Sequence, residues 1–275
     1  MIDLTKDLTW GHYVGSNFNN HGVILPVPDN FVCEYAYVWH YFSFSLAGVF
    51  VLWIIYRAVK YGDYVPGLLF IGGLVASYAE PMYDNIAHLW YARNLPGPLI
   101  TAFGIPVPYL AAPVYAVYLS IFGFFFAKLI HRGITKKKVW MFFVFMIFFN
   151  LVMEYPGLWT GAYMYWGQQP TEIFGFPLHW GWINSLACIV IGFFVWLAEK
   201  ARLNGLHKLL FVVITLIGHP TAAAAVGWPI FLALNMDISL STAYALEVCS
   251  LVLTLTLIEI IATIASGKPF EKIAN

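Results

Sequence analysis

Seven long apolar stretches dominate the sequence and determine what it can fold into. They lie at about 35–59, 64–90, 106–130, 139–160, 176–198, 208–231 and 239–265. Each has the length of roughly 20 residues that a helix needs to cross a bilayer. Only 10% of the residues are charged, compared with about 25% in soluble domains. The sequence therefore predicts an all-α, multi-pass integral membrane bundle of seven transmembrane helices, in a bacterial cytoplasmic membrane or an equivalent bilayer.

The basic residues predict the orientation of this bundle. Twelve of the 14 Lys and Arg residues follow span one, span three, span five or span seven. Only Lys6 and Arg93 fall on the other side. Because short cytoplasmic loops carry an excess of Lys and Arg, we expect the N-terminus outside and the C-terminus in the cytoplasm. The chain then divides into an extramembrane leader (1–34), a transmembrane domain (35–266) and a cytoplasmic tail (267–275).

The end of the second apolar stretch carries an unusual polar pattern. Glu80, Asp84 and His88 are spaced four residues apart, which places them on one face of a continuous helix. Ionisable groups at membrane depth cost a few kcal/mol each on insertion, so they usually face a protein interior and mark a functional site. Pro81 is expected to kink this helix. With Glu154 in the fourth span, these three residues form the predicted catalytic group.

Further polar and aromatic residues fall in the same outer half of the membrane or, in the case of His219, nearer the middle of its span. We predict that eight of them bind a substrate: Trp90, Tyr91, Tyr163, Trp166, His179, Trp180, His219 and Glu247. Pro156 and Pro220 are expected to interrupt the fourth and sixth spans, and the loops at 91–107 and 160–177 to form a lid. A structural role remains the alternative for each residue, because polar networks fix helix packing and Trp and Tyr collect at membrane interfaces.

Several functions lack their signatures in this sequence. The net charge of zero suggests no nucleic-acid partner. Residues 239–265 contain no lysine for a retinal, no two histidines have HxxxH spacing, and no aspartate-rich diphosphate motif or Gly-rich phosphate loop is present. We therefore expect neither a metal nor a cofactor. Carboxylic acids that act as proton donor and acceptor, with aromatic faces that stabilise cations, favour acid-initiated cyclisation or dehydration of a lipophilic small molecule.

Four local patterns carry a family resemblance. They are Glu80-Pro81-x-x-Asp84, Trp90-Tyr91, the loop Phe103-Gly104-Ile105-Pro106-Val107-Pro108, and Glu154 followed by Gly161-Ala162-Tyr163-x-Tyr165-x-Gly167. Together they resemble the AveC-like spirocyclase family over roughly residues 35–230. The resemblance implies a polytopic bacterial protein linked to spiroketal formation in polyketide pathways. It assigns no role to any single residue.

The expected mechanism follows from the chemistry of the acids. Glu80 or Glu154 would protonate a hemiketal hydroxyl, water would leave, and Asp84 as a carboxylate would stabilise the oxocarbenium ion. His88 or a carboxylate would take the proton of the attacking hydroxyl. Two alternatives remain open: an integral-membrane terpene cyclase of the meroterpenoid type, and a transporter or receptor for a lipophilic ligand. The inner half of the membrane, with Glu259 as its one clear ionisable group, disfavours a transporter.

Overall fold

The computed structural model of the protein describes residues 27–167, 169–203 and 205–267. Within these ranges, seven helical spans are long and apolar enough to cross a membrane. They are α1 (Ala36–Tyr61), α2 with α3 (Val65–Ala76 and Glu80–Ala87), α4 (Ala111–His131), α5 (Lys136–Trp159), α6 (Leu178–Lys200), α7 (Leu210–Asn235) and α8 (Leu240–Ala265). The predicted seven-helix bundle is confirmed. Lys6, Lys268, Lys272 and most of the leader and tail lie outside the described residues.

Helix α6 is the centre of the bundle, and α1 lies at its edge. α6 packs against α4, α5, α7 and α8. In the most apolar 18-residue stretch of α6, 67% is buried inside the protein, whereas the corresponding share in α1 is 17%. A Cβ added at Gly192 would lie 2.5 Å from the Gly123 carbonyl oxygen, so these glycines let the backbones of α6 and α4 touch. Small residues commonly permit such approach between membrane helices.

The second span is broken in the middle. Residues Ser77–Ala79 form a 3-10 turn, and Pro81 lies in the first turn of α3, where its missing N–H costs no helical hydrogen bond. The expected interruption at Pro81 is therefore present. In contrast, α5 continues through Pro156 and α7 through Pro220, so the interruptions predicted there are wrong.

Helix α3 ends earlier than expected, at Ala87. His88 has a left-handed backbone (φ 61°), which terminates the helix and turns its side chain off the face of Glu80 and Asp84. The prediction that His88 extends this face is wrong. The last carbonyls of α3 are satisfied inside the protein, because the Asn235 amide donates to Ile86 (2.8 Å) and the backbone N–H of Trp166 donates to His88 (2.8 Å).

The loops at this end contain short antiparallel strands that the sequence did not predict. β1 (Leu89–Tyr91) pairs with β4 (Tyr163–Tyr165), β2 (Ile100–Ala102) with β3 (Ile105–Val107), and β5 (Glu172–Ile173) with β6 (Phe176–Pro177). The β2–β3 and β5–β6 pairs are hairpins. Their turns, Phe103-Gly104 and Phe174-Gly175, have positive φ at both residues, as type I′ turns require. The third span therefore begins at Ala111 rather than near 106. We call segments 27–35, 88–110 and 160–177 the cap.

Candidate functional site

A cavity of about 230 Å³ lies directly under the cap. Its side walls come from α1, α3, α4 and α5, with two residues of α6 and one of α7 at the back and the β1–β4 ribbon above. Three carboxyl side chains line it: Glu80, Asp84 and Glu154. Most other lining side chains are apolar or aromatic. The acids predicted from two separate spans therefore meet in one chamber.

Glu80 is held by two phenols. The hydroxyl of Tyr91 donates to Oε1 at 2.7 Å, and the hydroxyl of Tyr115 donates to Oε2. Burial, together with the nearby charge of Glu80, raises the pKa of Tyr91 well above its usual value, so Tyr91 remains a neutral donor. Both carboxyl oxygens of Glu80 therefore accept a hydrogen bond, and a negative charge there is compensated.

Glu154 is held on one side only. Its Oε2 accepts a hydrogen bond of 2.8 Å from Tyr163, whose pKa is raised by burial and by the charge of Glu154. Tyr163 reaches this position because Gly157 leaves room for its ring, which a Cβ at that position would overlap. No described residue donates to the second oxygen of Glu154, so that oxygen remains available to a ligand.

Asp84 has the least satisfied carboxyl of the three. It is 2% exposed, and its Oδ2 makes no hydrogen bond to any described residue. Three neighbouring side chains of the cavity wall also have a polar atom without such a partner: Tyr83 Oη, Trp180 Nε1 and His219 Nδ1. Buried polar atoms are normally paired, so this part of the wall has the unmet hydrogen-bonding capacity expected of a binding site.

His219 is the histidine of the cavity. Its ring lies edge-on to Tyr83 (centroids 4.7 Å apart) and to Tyr115 (5.3 Å). The sequence places it near the middle of its span, and the structure brings it to the carboxyl groups from α7. Tyr91, Tyr163 and Trp180 also line the cavity, as predicted.

His88, Trp90 and Trp166 form a separate stack inside the cap. The His88 ring lies 4.0 Å from Trp166, which lies 5.0 Å from Trp90. His88 Nε2 is 3.4 Å from Asn235 Oδ1. Burial lowers the pKa of His88 to about 4, although the Asn235 contact opposes this. None of the three lines the cavity, because the left-handed turn at His88 directs the chain away from it. The structure does not bring them to the predicted site.

His179 and Glu247 form another buried group behind the cavity. His179 Nδ1 and Glu247 Oε1 are 3.6 Å apart, and the Thr171 hydroxyl donates to Glu247 Oε2. Neither residue lines the cavity, although both were expected to bind substrate. They join α6 and α8 to the cap. Glu259, at the opposite end, pairs with Lys136 at 2.7 Å.

Sequence reasoning did not assign several polar residues of the wall to the site, among them Tyr83, Tyr115, Tyr118, Asn150 and Asn184. Tyr115 and Tyr118 lie on α4, and Asn150 accepts a hydrogen bond of 3.1 Å from the Tyr118 hydroxyl. The available signal was two tyrosines three residues apart, inside an apolar span rather than at its interfacial end.

Metal binding and known relatives add no further assignment. Within residues 27–167, 169–203 and 205–267, no three His, Cys, Asp or Glu side chains are grouped so that they would hold a metal ion. The chain matches no protein-family model, no curated protein and no solved structure.

Proposed function

We propose that this protein is a membrane-embedded enzyme that uses carboxylic acids to cyclise or dehydrate a lipophilic substrate, with spiroketal formation as the reaction type. One observation carries the proposal: Glu80, Asp84 and Glu154 converge in a small, mostly apolar chamber. The resemblance to AveC-like spirocyclases supports it, since two of the resembling patterns supply these acids.

The hydrogen bonds favour a division of roles among the acids. Glu80, with both oxygens engaged by phenols, suits a fixed anion that stabilises positive charge. Carboxylates that are close together repel each other when both are ionised, so one of the neighbours holds a proton. Asp84 is the proton donor in this scheme, because its Oδ2 has no competing partner. Sequence alone favoured Glu80 or Glu154 as donor and Asp84 as the anion.

The proposed reaction balances without a co-reactant. The carboxyl of Asp84 gives its proton to the hydroxyl of a hemiketal, the C–O bond breaks, and water leaves. The resulting oxocarbenium ion is attacked by a second hydroxyl of the substrate, which forms the new C–O bond. Glu154 or His219 takes the proton from this oxygen, and return of that proton to Asp84 restores the starting state. The rings of Tyr83, Tyr115 and Trp180 provide aromatic faces for the cation.

The acids and aromatic side chains of the cavity also fit one alternative reaction. A terpene cyclase of the meroterpenoid type protonates an alkene or epoxide and also needs an aromatic chamber. The aromatic lining favours it, and the identity of the product distinguishes the two enzymes.

The orientation is part of this proposal. In the described residues, ten Lys and Arg side chains lie at the end opposite the cap, and Arg93 lies in the cap. By the positive-inside rule the cap faces outward, the N-terminus is outside and the C-terminus is cytoplasmic. In a bacterial cytoplasmic membrane the cavity then lies in the outer leaflet.

Conservative amide substitutions test the catalytic role. Purified protein in liposomes is incubated with synthetic dihydroxyketones and with polyprenylated epoxides, and products are followed by mass spectrometry. We expect Asp84→Asn and Glu154→Gln to lower turnover by about 10²- to 10⁴-fold, the usual contribution of a general acid or base. Glu34→Gln, at an exposed acid, is the matched control. Wild-type turnover by both variants, with folding intact, would refute acid catalysis.

A further inference from the structure

The cavity has an apolar mouth on the side of the bundle. Four of its lining residues are exposed at the protein surface: Phe42 (51%) and Leu46 (38%) on α1, Val114 (44%) on α4 and Met153 (38%) on α5. Leu46 lies ten residues after the start of α1, which corresponds to about 15 Å along the helix. The mouth therefore lies within the hydrocarbon depth of a bilayer.

The edges of this mouth are fixed by specific contacts. On the cap side, Trp39 Nε1 donates to Thr160 Oγ1 at 2.8 Å and ties α1 to the end of α5. On the opposite side, Ala47 and Phe50 of α1 pack with Val117 of α4. Between these two attachments α1 stands beside the cavity without closing it. The gap is thus a built feature of the bundle.

Above the cavity, the cap closes the route to water. Tyr91 and Tyr165 of the β1–β4 ribbon form the roof and are 8% and 5% exposed. The segment before α1 is fastened over this roof by Asn94, whose side chain exchanges two hydrogen bonds of 2.8 Å with the backbone of Cys33. Arg93 Nη2 adds a bond of 2.5 Å to the Val27 carbonyl.

The polar groups of the cavity restrict what can enter. The lining includes three carboxyl groups but no Lys or Arg, so an anionic head group would be repelled. Trp180 Nε1 is a donor only, so an ammonium head, which carries no acceptor, would leave it without a partner. An uncharged oxygen-bearing group, such as a hydroxyl or carbonyl, pairs with Trp180 Nε1, with the Tyr83 hydroxyl and with Asp84.

From this geometry we infer that the ligand is an uncharged, oxygen-bearing amphiphile that enters sideways from the bilayer, between α1 and α5. Its head lies against Asp84, Tyr83 and Trp180, and its apolar tail passes Leu46 and Met153 into the lipid. This inference rests on the cavity being the site of the proposed reaction and adds the substrate class and its route.

Photolabelling in liposomes tests both parts without any turnover. The probe is a long-chain alcohol with a diazirine beside its hydroxyl; on irradiation it loses nitrogen, and the carbene inserts into a neighbouring X–H bond. We expect adducts on peptides that contain Tyr83 and Asp84 or Tyr115. Leu46→Trp and Met153→Trp should lower this labelling about tenfold, which corresponds to 1.4 kcal/mol of binding. Val49→Trp and Val152→Trp, on the same helices but outside the cavity lining, should leave it unchanged.

The outcomes separate this inference from the proposed function. Equal cavity labelling in the Leu46 and Met153 variants and in their controls would overturn the lateral route. Equal or stronger labelling by the matched fatty acid or fatty amine would overturn the uncharged head. A third outcome is that Leu46→Trp and Met153→Trp reduce labelling while Asp84→Asn and Glu154→Gln turn over substrate at the wild-type rate. That outcome would support the lateral route and reject acid catalysis.

Discussion

The hydrogen bonds from Tyr91 and Tyr115 to the Glu80 carboxyl, here called the Glu80 clamp, are best tested by removing the Tyr115 hydroxyl. Tyr115→Phe leaves Oε2 of Glu80 without its donor in a buried site, while Tyr91 still holds Oε1. A hydrogen bond to a charged group contributes about 1.5–3 kcal/mol to stability. For a chain of this size, about 2–4 °C of Tm corresponds to each kcal/mol. We therefore expect Tyr115→Phe to lower Tm by about 3–12 °C.

Two other tyrosines, one in the cavity wall and one at the far end of the bundle, calibrate this expectation. Tyr118 donates to a neutral acceptor, Asn150, at 3.1 Å, so Tyr118→Phe should cost about 0.5–1.5 kcal/mol. Tyr64 is 58% exposed, and Tyr64→Phe should have almost no effect. Thermal unfolding of all variants is measured in one lipid composition at one pH.

A double-mutant cycle then asks whether Glu80 carries charge. With Glu80→Gln as background the acceptor is neutral, so Tyr115→Phe should cost only about 0.5–1.5 kcal/mol. If Tyr115→Phe costs the same with Glu80 or Gln at this position, Glu80 is not the anion of the site. If it costs no more than Tyr64→Phe, the clamp does not exist.

Two further substitutions probe the cap and the roof of the cavity. The pKa of His88 is about 4 in the folded protein and about 6.5 when unfolded, so the unfolded chain binds the extra proton and stability falls by about 3 kcal/mol as pH drops from 7 to 4. His88→Asn, which tolerates the left-handed backbone, should reduce this acid sensitivity in melting curves; an unchanged slope between pH 7 and 4 contradicts the assignment. Gly157→Ala should push Tyr163 off Glu154 and cost about 1–3 kcal/mol, whereas Gly48→Ala, which meets open space, should not. Equal melting temperatures for the two alanine variants would contradict the packing described for Tyr163.

The spans were predictable from sequence because their cause is local. A helix that crosses lipid must satisfy its backbone within one segment and present about 20 apolar residues. The cap was not predictable in the same way, since its strands are only two or three residues long. The ends of spans two and three were misplaced because apolar residues continue into β1 and β3.

Within the site, the acids that are energetically unfavourable inside a membrane were predictable one by one, but the way their side chains are arranged was not. Glu80, Asp84 and Glu154 stood out because intramembrane acids are rare. His88 was misplaced because the i+4 rule assumes a continuous helix, and nothing in the sequence marks a left-handed histidine. The pairing of His179 with Glu247 depends on the register of α6 against α8, which no local pattern contains.

The proposed function requires that acids from different helices share an apolar chamber and that one of them holds a proton there. Dicyclohexylcarbodiimide partitions into membranes and reacts with protonated carboxyl groups, and peptide mass spectrometry locates the adduct. We predict modification of Asp84 or Glu154 in the folded protein at neutral pH, with Glu80 and the exposed Glu34 unmodified. If no cavity carboxyl reacts until the protein is unfolded, no acid of the chamber holds a proton in the folded protein and acid catalysis there is refuted.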